Sequence, residues 1–216
     1  TAKWYDADNL FKEKKYQESI TAFFEYLSDD KEKNVQFSRN GDGFTFEFVQ
    51  GSKKIYGESD GKHITARVPV VKMGTPSAAV MRRMLELNYG LYYSRTTMNE
   101  DNVISMMFDS AIDSANPNKL YYGLKELATK ADRQDDILVA DFHMLEEIDT
   151  LHIERLPEKE LDIKYKYFRK WIEDTLQQVS ELNPDSFSGS VAYLLLNLLY
   201  RIDYLIAPEA KLLADL

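Results

Sequence analysis

The sequence contains no cysteine. That excludes thiol catalysis, disulfide frameworks, Cys-ligated zinc and iron–sulfur clusters. It leaves the compartment open, because a cysteine-free chain is indifferent to redox state. Three histidines in 216 residues leave little room for a His-rich metal site. Positive charge is also short: 27 Lys and Arg face 36 Asp and Glu, for a net charge of −9. A general nucleic-acid binder carries the opposite balance. Long apolar runs are missing as well. The longest, residues 191–206, is interrupted by Asn197, Arg201 and Asp203. It falls short of the roughly twenty residues a bilayer span needs, and it reads as a buried helix. The chain starts Thr1-Ala2-Lys3-Trp4, with neither a basic and apolar leader nor an initiator Met. That is expected of a trimmed chain or of a mature form that has lost its leader. The expectation is a cytoplasmic protein that engages neither membrane nor nucleic acid.

What is present suits a folded chain. With 44% hydrophobic and 29% charged residues it is not disordered. A chain of this length buries roughly 70% of the surface it exposes when unfolded, so it needs no metal or disulfide staple.

Residues 1–31 read as a helical hairpin. Trp4, Ala7, Leu10 and Phe11 form one stripe and Tyr16, Ile20, Phe23, Phe24 and Leu27 another, joined by the charged turn 12–15. Half of a tetratricopeptide unit has this pattern, but no second copy follows. From Val35 the period drops from 3.6 to 2. Phe44, Phe46 and Phe48 alternate with Thr45 and Glu47, and Ile64, Ala66, Val68 and Val70 share one face. Turn residues at Asn40–Gly43, Gly51-Ser52 and Ser59–Gly61 divide this region into a meander of three or four strands. Thr75-Pro76 reads as the start of a helix that Gly90 ends. Residues 91–98 and 103–112 read as a hairpin around Asn99–Asn102. Asn116-Pro117 starts another helix, with Leu120, Leu124, Leu127 and Ala131 on its stripe, running on through Leu138 and Leu145. Beyond about residue 140 no strand period is visible. Pro157 opens a helix to about Leu182, Asn183-Pro184 breaks it, and Ser190 caps a last one, apolar around much of its circumference and so packed on several sides. The expected fold class is α+β: an antiparallel sheet with helices on one face, plus a C-terminal helical extension. The expected division is 1–31 (helical hairpin), 32–140 (α+β domain) and 141–216 (extension).

Several segments of the α+β region resemble the YbjN-like bacterial family of the secretion-chaperone-like fold. They are Gly41-Asp42-Gly43, the run Lys62-His63-Ile64-Thr65-Ala66-Arg67-Val68-Pro69-Val70, Leu85-Glu86-Leu87-Asn88, Asn99-Glu100-Asp101-Asn102-Val103 and Pro117…Leu120…Leu124-Lys125-Glu126-Leu127. The resemblance covers a little over half the chain, about 16–140, and rests on turns and core positions. It implies a non-catalytic binding or regulatory module with a protein partner or a homodimer. The helices after residue 140 depart from the plain family pattern.

Signatures of chemistry fail on spacing or context. His143-x-x-Glu146-x-x-Asp149-x-x-His152 has steps of three, which carry His143 and His152 to roughly opposite sides of a helix. His143 with Glu147, one turn apart, is the better pair. A di-iron bundle needs two Glu-x-x-His motifs and two further Glu, and only Asp149-x-x-His152 approaches one. Ser186–Ser190 lacks the first glycine of a nucleophile elbow, and no phosphate-binding glycine loop is present. The expectation is therefore no enzyme, no cofactor and no metal. An enzyme or metal site using His143 and His152, and a tetratricopeptide-type scaffold, are the alternatives. Charge is uneven: residues 61–90 hold five basic and one acidic residue, and 121–150 hold three basic and eight acidic.

One face of the sheet draws attention. If Phe44, Phe46, Phe48, Ile104, Met106 and Phe108 lie under the helices that follow Pro76 and Pro117, the other face carries Thr45, Glu47, Val49, Val103, Ser105 and Met107. That set is half apolar, too apolar for open water and too polar for a core. Val49, Val103 and Met107 are the candidate partner-binding residues.

Overall fold

The alternation of residues 44–48 becomes a strand with one buried face. In a computed structural model, which describes residues 2–29, 31, 33–41, 43–150 and 156–207, Phe44 and Phe46 are buried and Thr45 is exposed. The chain divides into two units, Thr1–Ile153 and Glu154–Leu216.

The first unit is α+β. Helices α1 (Ala2–Lys12) and α2 (Tyr16–Leu27) precede strands β1 (Val35–Asn40), β2 (Gly43–Gln50), β3 (Lys53–Ser59) and β4 (His63–Met73). Helix α3 (Ala78–Tyr89), strands β5 (Ser94–Met98) and β6 (Val103–Ala111), helix α4 (Pro117–Asp141) and a short β7 (Leu145–Glu147) follow. The sheet runs β1-β2-β3-β4-β6-β5, every pair antiparallel, with β7 added beside β4. Neighbouring strands joined by short turns are the arrangement that alternating patterns with turn residues between them favour.

Helices lie on one face. The α4 helix crosses the sheet, and its stripe of Leu120, Leu124, Leu127, Ala131 and Leu138 is buried. Asn116 caps it as expected, its side chain accepting from the Lys119 N–H at 2.9 Å with Pro117 behind it. The α1–α2 hairpin closes through Ser19, whose Oγ donates to the Ala7 carbonyl at 2.7 Å. It docks through Phe24, whose ring sits 5.1 Å from that of Phe44 and 4.3 Å from that of Phe46. Gly57, opposite Phe46 on β3, leaves room for that ring: a Cβ there would lie 1.9 Å from it. The core therefore runs from Ala7 through the Phe cluster to Ile104, Met106 and Phe108.

In the first unit four sequence-based expectations need correction. Helix α3 starts at Ala78 with Ser77 at the N-cap position, two residues after the Thr75-Pro76 start. The Ser77 N–H donates to the Met73 sulfur instead of extending the helix back. Residues 91–93 are not strand: the Leu91 N–H donates back to the Asn88 carbonyl, and those of Tyr92 and Tyr93 turn to the Glu126 side chain of α4. Helix α4 stops at Asp141, so Leu145 is not on it. Strand character does return after residue 140, in β7, where Leu145 is buried opposite Met73. Three residues are too few to display a period.

Where the edge of β4 passes from β3 to β7, the buried Lys53 fills the gap. Its ammonium donates to the carbonyls of Val70 (3.2 Å) and Ile148 (3.3 Å) and pairs with buried Asp135 of α4 at 3.0 Å. Ser52 adds bonds from its N–H and Oγ to Asp132 and from its Oγ to Asp135. Gly51 turns there with φ 55°, and a Cβ on it would strike the Asp132 carboxylate. A buried charge persists only when its partners are supplied in full, and here all three ammonium protons have acceptors.

The second unit is a pair of helices, α5 (Glu158–Ser180) and α6 (Ser188–Ile206). Helix α6 starts two residues before the Ser190 cap that the sequence suggests, with Phe187 at the N-cap position. It is not packed on several sides: Leu198 and Ile202 are its buried residues. The Arg201 guanidinium lies 4.1 Å over the Trp171 ring and ties α6 to α5. No helix among the described residues is long and apolar enough to cross a membrane.

Candidate functional site

With the helices on one side, the other face of the sheet carries rows of side chains set by strand register. One row reads Gln36, Glu47, Tyr56, Arg67, Met107, Arg95 from β1 to β5. A second reads Ser38, Thr45, Glu58, Thr65, Asp109. Met107 sits in the first row between two arginines, half-buried. Val49, 50% exposed, stands opposite Lys54. Val103, half-buried, stands opposite Lys72. The three candidate residues therefore share a face but not a cluster: Met107 is near its middle, while Val49 and Val103 lie on different strands toward one end. Ser105 differs from its expected half-open state. It is buried between Pro69 and Thr97, and its carbonyl accepts from Thr97 Oγ1.

The charges on this face are largely paired. Glu47 binds Lys54 at 2.8 Å, and that hydrogen bond raises the Lys54 pKa above the usual lysine value. Arg95 pairs with Asp109. The Tyr56 hydroxyl donates to the Asp149 carboxylate at 3.1 Å. Partial burial, then the nearby Asp149 charge, push the Tyr56 pKa up, so the phenol keeps its proton. Asp149 reaches it from a left-handed backbone position, φ 58°, one that Asp tolerates better than most residues. Among the described residues Arg67 has no ion pair within 4 Å. It lines a depression of about 500 Å³ with Thr45, Tyr56, Glu58, Thr65 and Met107. A second hollow of about 440 Å³ lies beside it toward β1, lined by Gln36, Ser38 and Glu47 among others. The arrangement offers an apolar centre, a cation and hydrogen-bonding groups on a broad surface. It shows no nucleophile–base pair and no oxyanion donors aimed at one point.

The edges of the sheet are treated differently from its face. On β5 the outward N–H groups of Ser94 and Thr96 are taken by the side chains of Glu126 and Asn88, at 2.9 and 2.6 Å. Glu126 also accepts from the N–H groups of Tyr92 and Tyr93. Burial by itself would raise the Glu126 pKa, but these backbone donors outweigh it and hold the carboxyl below its usual range. With these donors taken, the β5 edge is a poorer template for another strand.

The metal alternative loses its geometry. His143 lies in the turn after α4 and Glu147 in β7, so the helical i, i+4 pairing does not form. Asp149 is engaged by Tyr56, and His152 lies outside the described residues. Among the described residues no three His, Asp or Glu side chains come together as a metal site. Of the basic residues in 61–90, Arg82 and Arg83 both turn to Glu86, at 3.1 and 3.9 Å.

The sequence reading did not single out Tyr56, Arg95 or Asp149 for the open face. A period of 2 is present in 53–59, with Lys54, Tyr56 and Glu58 outward. It is obscured because a lysine and a glycine occupy inward positions.

No protein family description and no curated protein matches the chain. Among solved structures, the Yersinia pestis type III secretion chaperone SycH, in complex with a stable fragment of YscM2, aligns at 15% identity. The alignment covers 54% of this chain and 96% of that one, with a TM-score of 0.40. The ExsC–ExsE complex aligns at 9% identity over 56% of this chain and 95% of that one, with a TM-score of 0.35.

Proposed function

We propose that this chain is a non-catalytic protein-binding module, chaperone-like or regulatory, of YbjN-like type in bacteria, and that it works in the cytoplasm. Its partner, another protein or a second copy, rests on the open sheet face around Met107, with Val49 and Val103 at the margin. The observation that carries this reading is Met107 itself. A half-buried thioether stands between Arg67 and Arg95, beside a hollow of about 500 Å³, on the face away from the first unit's own helices. Methionine is flexible and polarizable, which suits surfaces that accept irregular partners. An interface of standard size covers about 800 Å² per partner, near the extent of such a face.

The test is Met107→Asp. Reproducible recovery of one protein by the wild-type chain, lost in the variant while circular dichroism and melting stay unchanged, supports the proposal. Unfolding of the variant makes the face ordinary core. Unchanged stability and unchanged association make it plain solvated surface.

A further inference from the structure

The α5–α6 unit lacks a core of its own. Thr175, Leu198 and Ile202 are the buried residues among its described positions. Yet α6 is rich in apolar side chains. At about 100° per residue, Val191, Leu194, Leu198, Ile202 and Leu205 form the stripe turned to α5. Tyr193, Leu196, Tyr200 and Tyr204 form a second stripe roughly opposite, and all four are exposed, Tyr204 to 90%. Leu199 lies on the flank between the two stripes, and Leu195 sits beside the first. A helix apolar on two opposite sides is built to be covered twice, and α5 covers it once.

We propose that a second copy of this chain covers it: two α5–α6 hairpins associate through the Tyr193–Leu196–Tyr200–Tyr204 stripes into a four-helix arrangement about a two-fold axis. Three observations select this occupant. The first is mutual need. A helix with apolar stripes on opposite sides needs a second neighbour besides α5, and each copy brings the same deficit and the same stripe, as an isologous interface requires. The second is charge. Residues 186–200 are the longest uncharged run of the chain, in a sequence with 29% charged residues and net charge −9. Two acidic copies approach with least repulsion through the segment that carries none of that charge. The third is area. The four exposed side chains of the stripe, at on the order of 100 Å² each, supply about half of the roughly 800 Å² per partner that stable association uses, and Leu199 on its flank, also exposed, adds to it.

The test uses the full chain. Light scattering at micromolar concentration is expected to give twice the 25.1 kDa chain mass. Leu196→Asp with Tyr200→Asp is expected to weaken self-association by on the order of a hundredfold, with helix content kept. Because the chain has no cysteine, Leu196→Cys provides a lone thiol close to the two-fold axis. A short bis-maleimide should convert it to a covalent dimer and should leave Glu100→Cys, on the β5–β6 turn, uncoupled. This second reading stands even if the double variant fails to fold. A monomeric wild-type chain overturns the proposal. Its Leu196→Cys thiol then says why: protection from alkylation means the stripe is buried within one chain, and free reaction means it awaits a different protein. A dimer that survives the double variant and does not couple through Leu196→Cys overturns it as well.

Discussion

The two units are made of similar residues and reach opposite outcomes. In Thr1–Ile153 a sheet lies under helices, and buried side chains run continuously from Ala7 to Leu145. In Glu154–Leu216 two amphipathic helices touch along one stripe and leave leucines and tyrosines in water. Composition does not separate them, since α6 is the most apolar of the described helices. What separates them is the number of layers: a stripe is buried only if another element faces it. Stability of the first unit is therefore expected to depend on individual core contacts, and that of an isolated hairpin to be insensitive to most of its apolar residues.

Substitutions can break or sharpen that contrast. Phe24→Ala removes the ring at the centre of the aromatic cluster and should cost about 3–5 kcal/mol, read as a lower denaturant midpoint of the sheet unit. Lys53→Met strands Asp135 in the interior and should cost on the order of 3 kcal/mol. Adding Asp135→Leu should restore most of it, and a failure to restore would mean that the Ser52 and backbone bonds carry the clip. Gly57→Ala forces a methyl against Phe46 and should cost about 1–3 kcal/mol, with the near-ultraviolet signal of the Phe cluster altered. Glu126 adds a pH test. Its folded pKa lies below its unfolded one, so its contribution is fully present above the ordinary carboxylate range and is lost as pH falls through the depressed value. The protection factors of the Tyr92, Tyr93 and Ser94 amides, taken relative to intrinsic exchange at each pH, should fall on acidification, and Glu126→Gln should remove that dependence. At the small end, Ile163→Thr on the exposed side of α5 should change stability by no more than about 0.5 kcal/mol.

Legibility followed the range of the interaction. The alternation at Phe44–Phe48, the Asn116-Pro117 cap and the Ile104–Met106–Phe108 face are visible in sequence because each depends on residues a few positions apart. The Thr75-Pro76 start failed by two residues because the deciding bond comes from Met73 on the preceding strand. Of the open face, Val49, Val103 and Met107 were legible as outward positions. Their neighbours Arg67, Arg95 and Tyr56 were not, because lateral neighbours follow from strand order, and β6 sits between β4 and β5.

By itself the sequence determined the periods, the turns, the helix cap at Asn116 and the absence of thiol chemistry, since all of these are local or compositional. Only the tertiary structure decided that β7 joins β4, that Lys53 and Asp135 meet although 82 positions apart, and that the helices of the first unit gather on one face of its sheet. Burial and pairing between distant segments depend on which elements come to face one another, and residue order along one segment does not contain that choice.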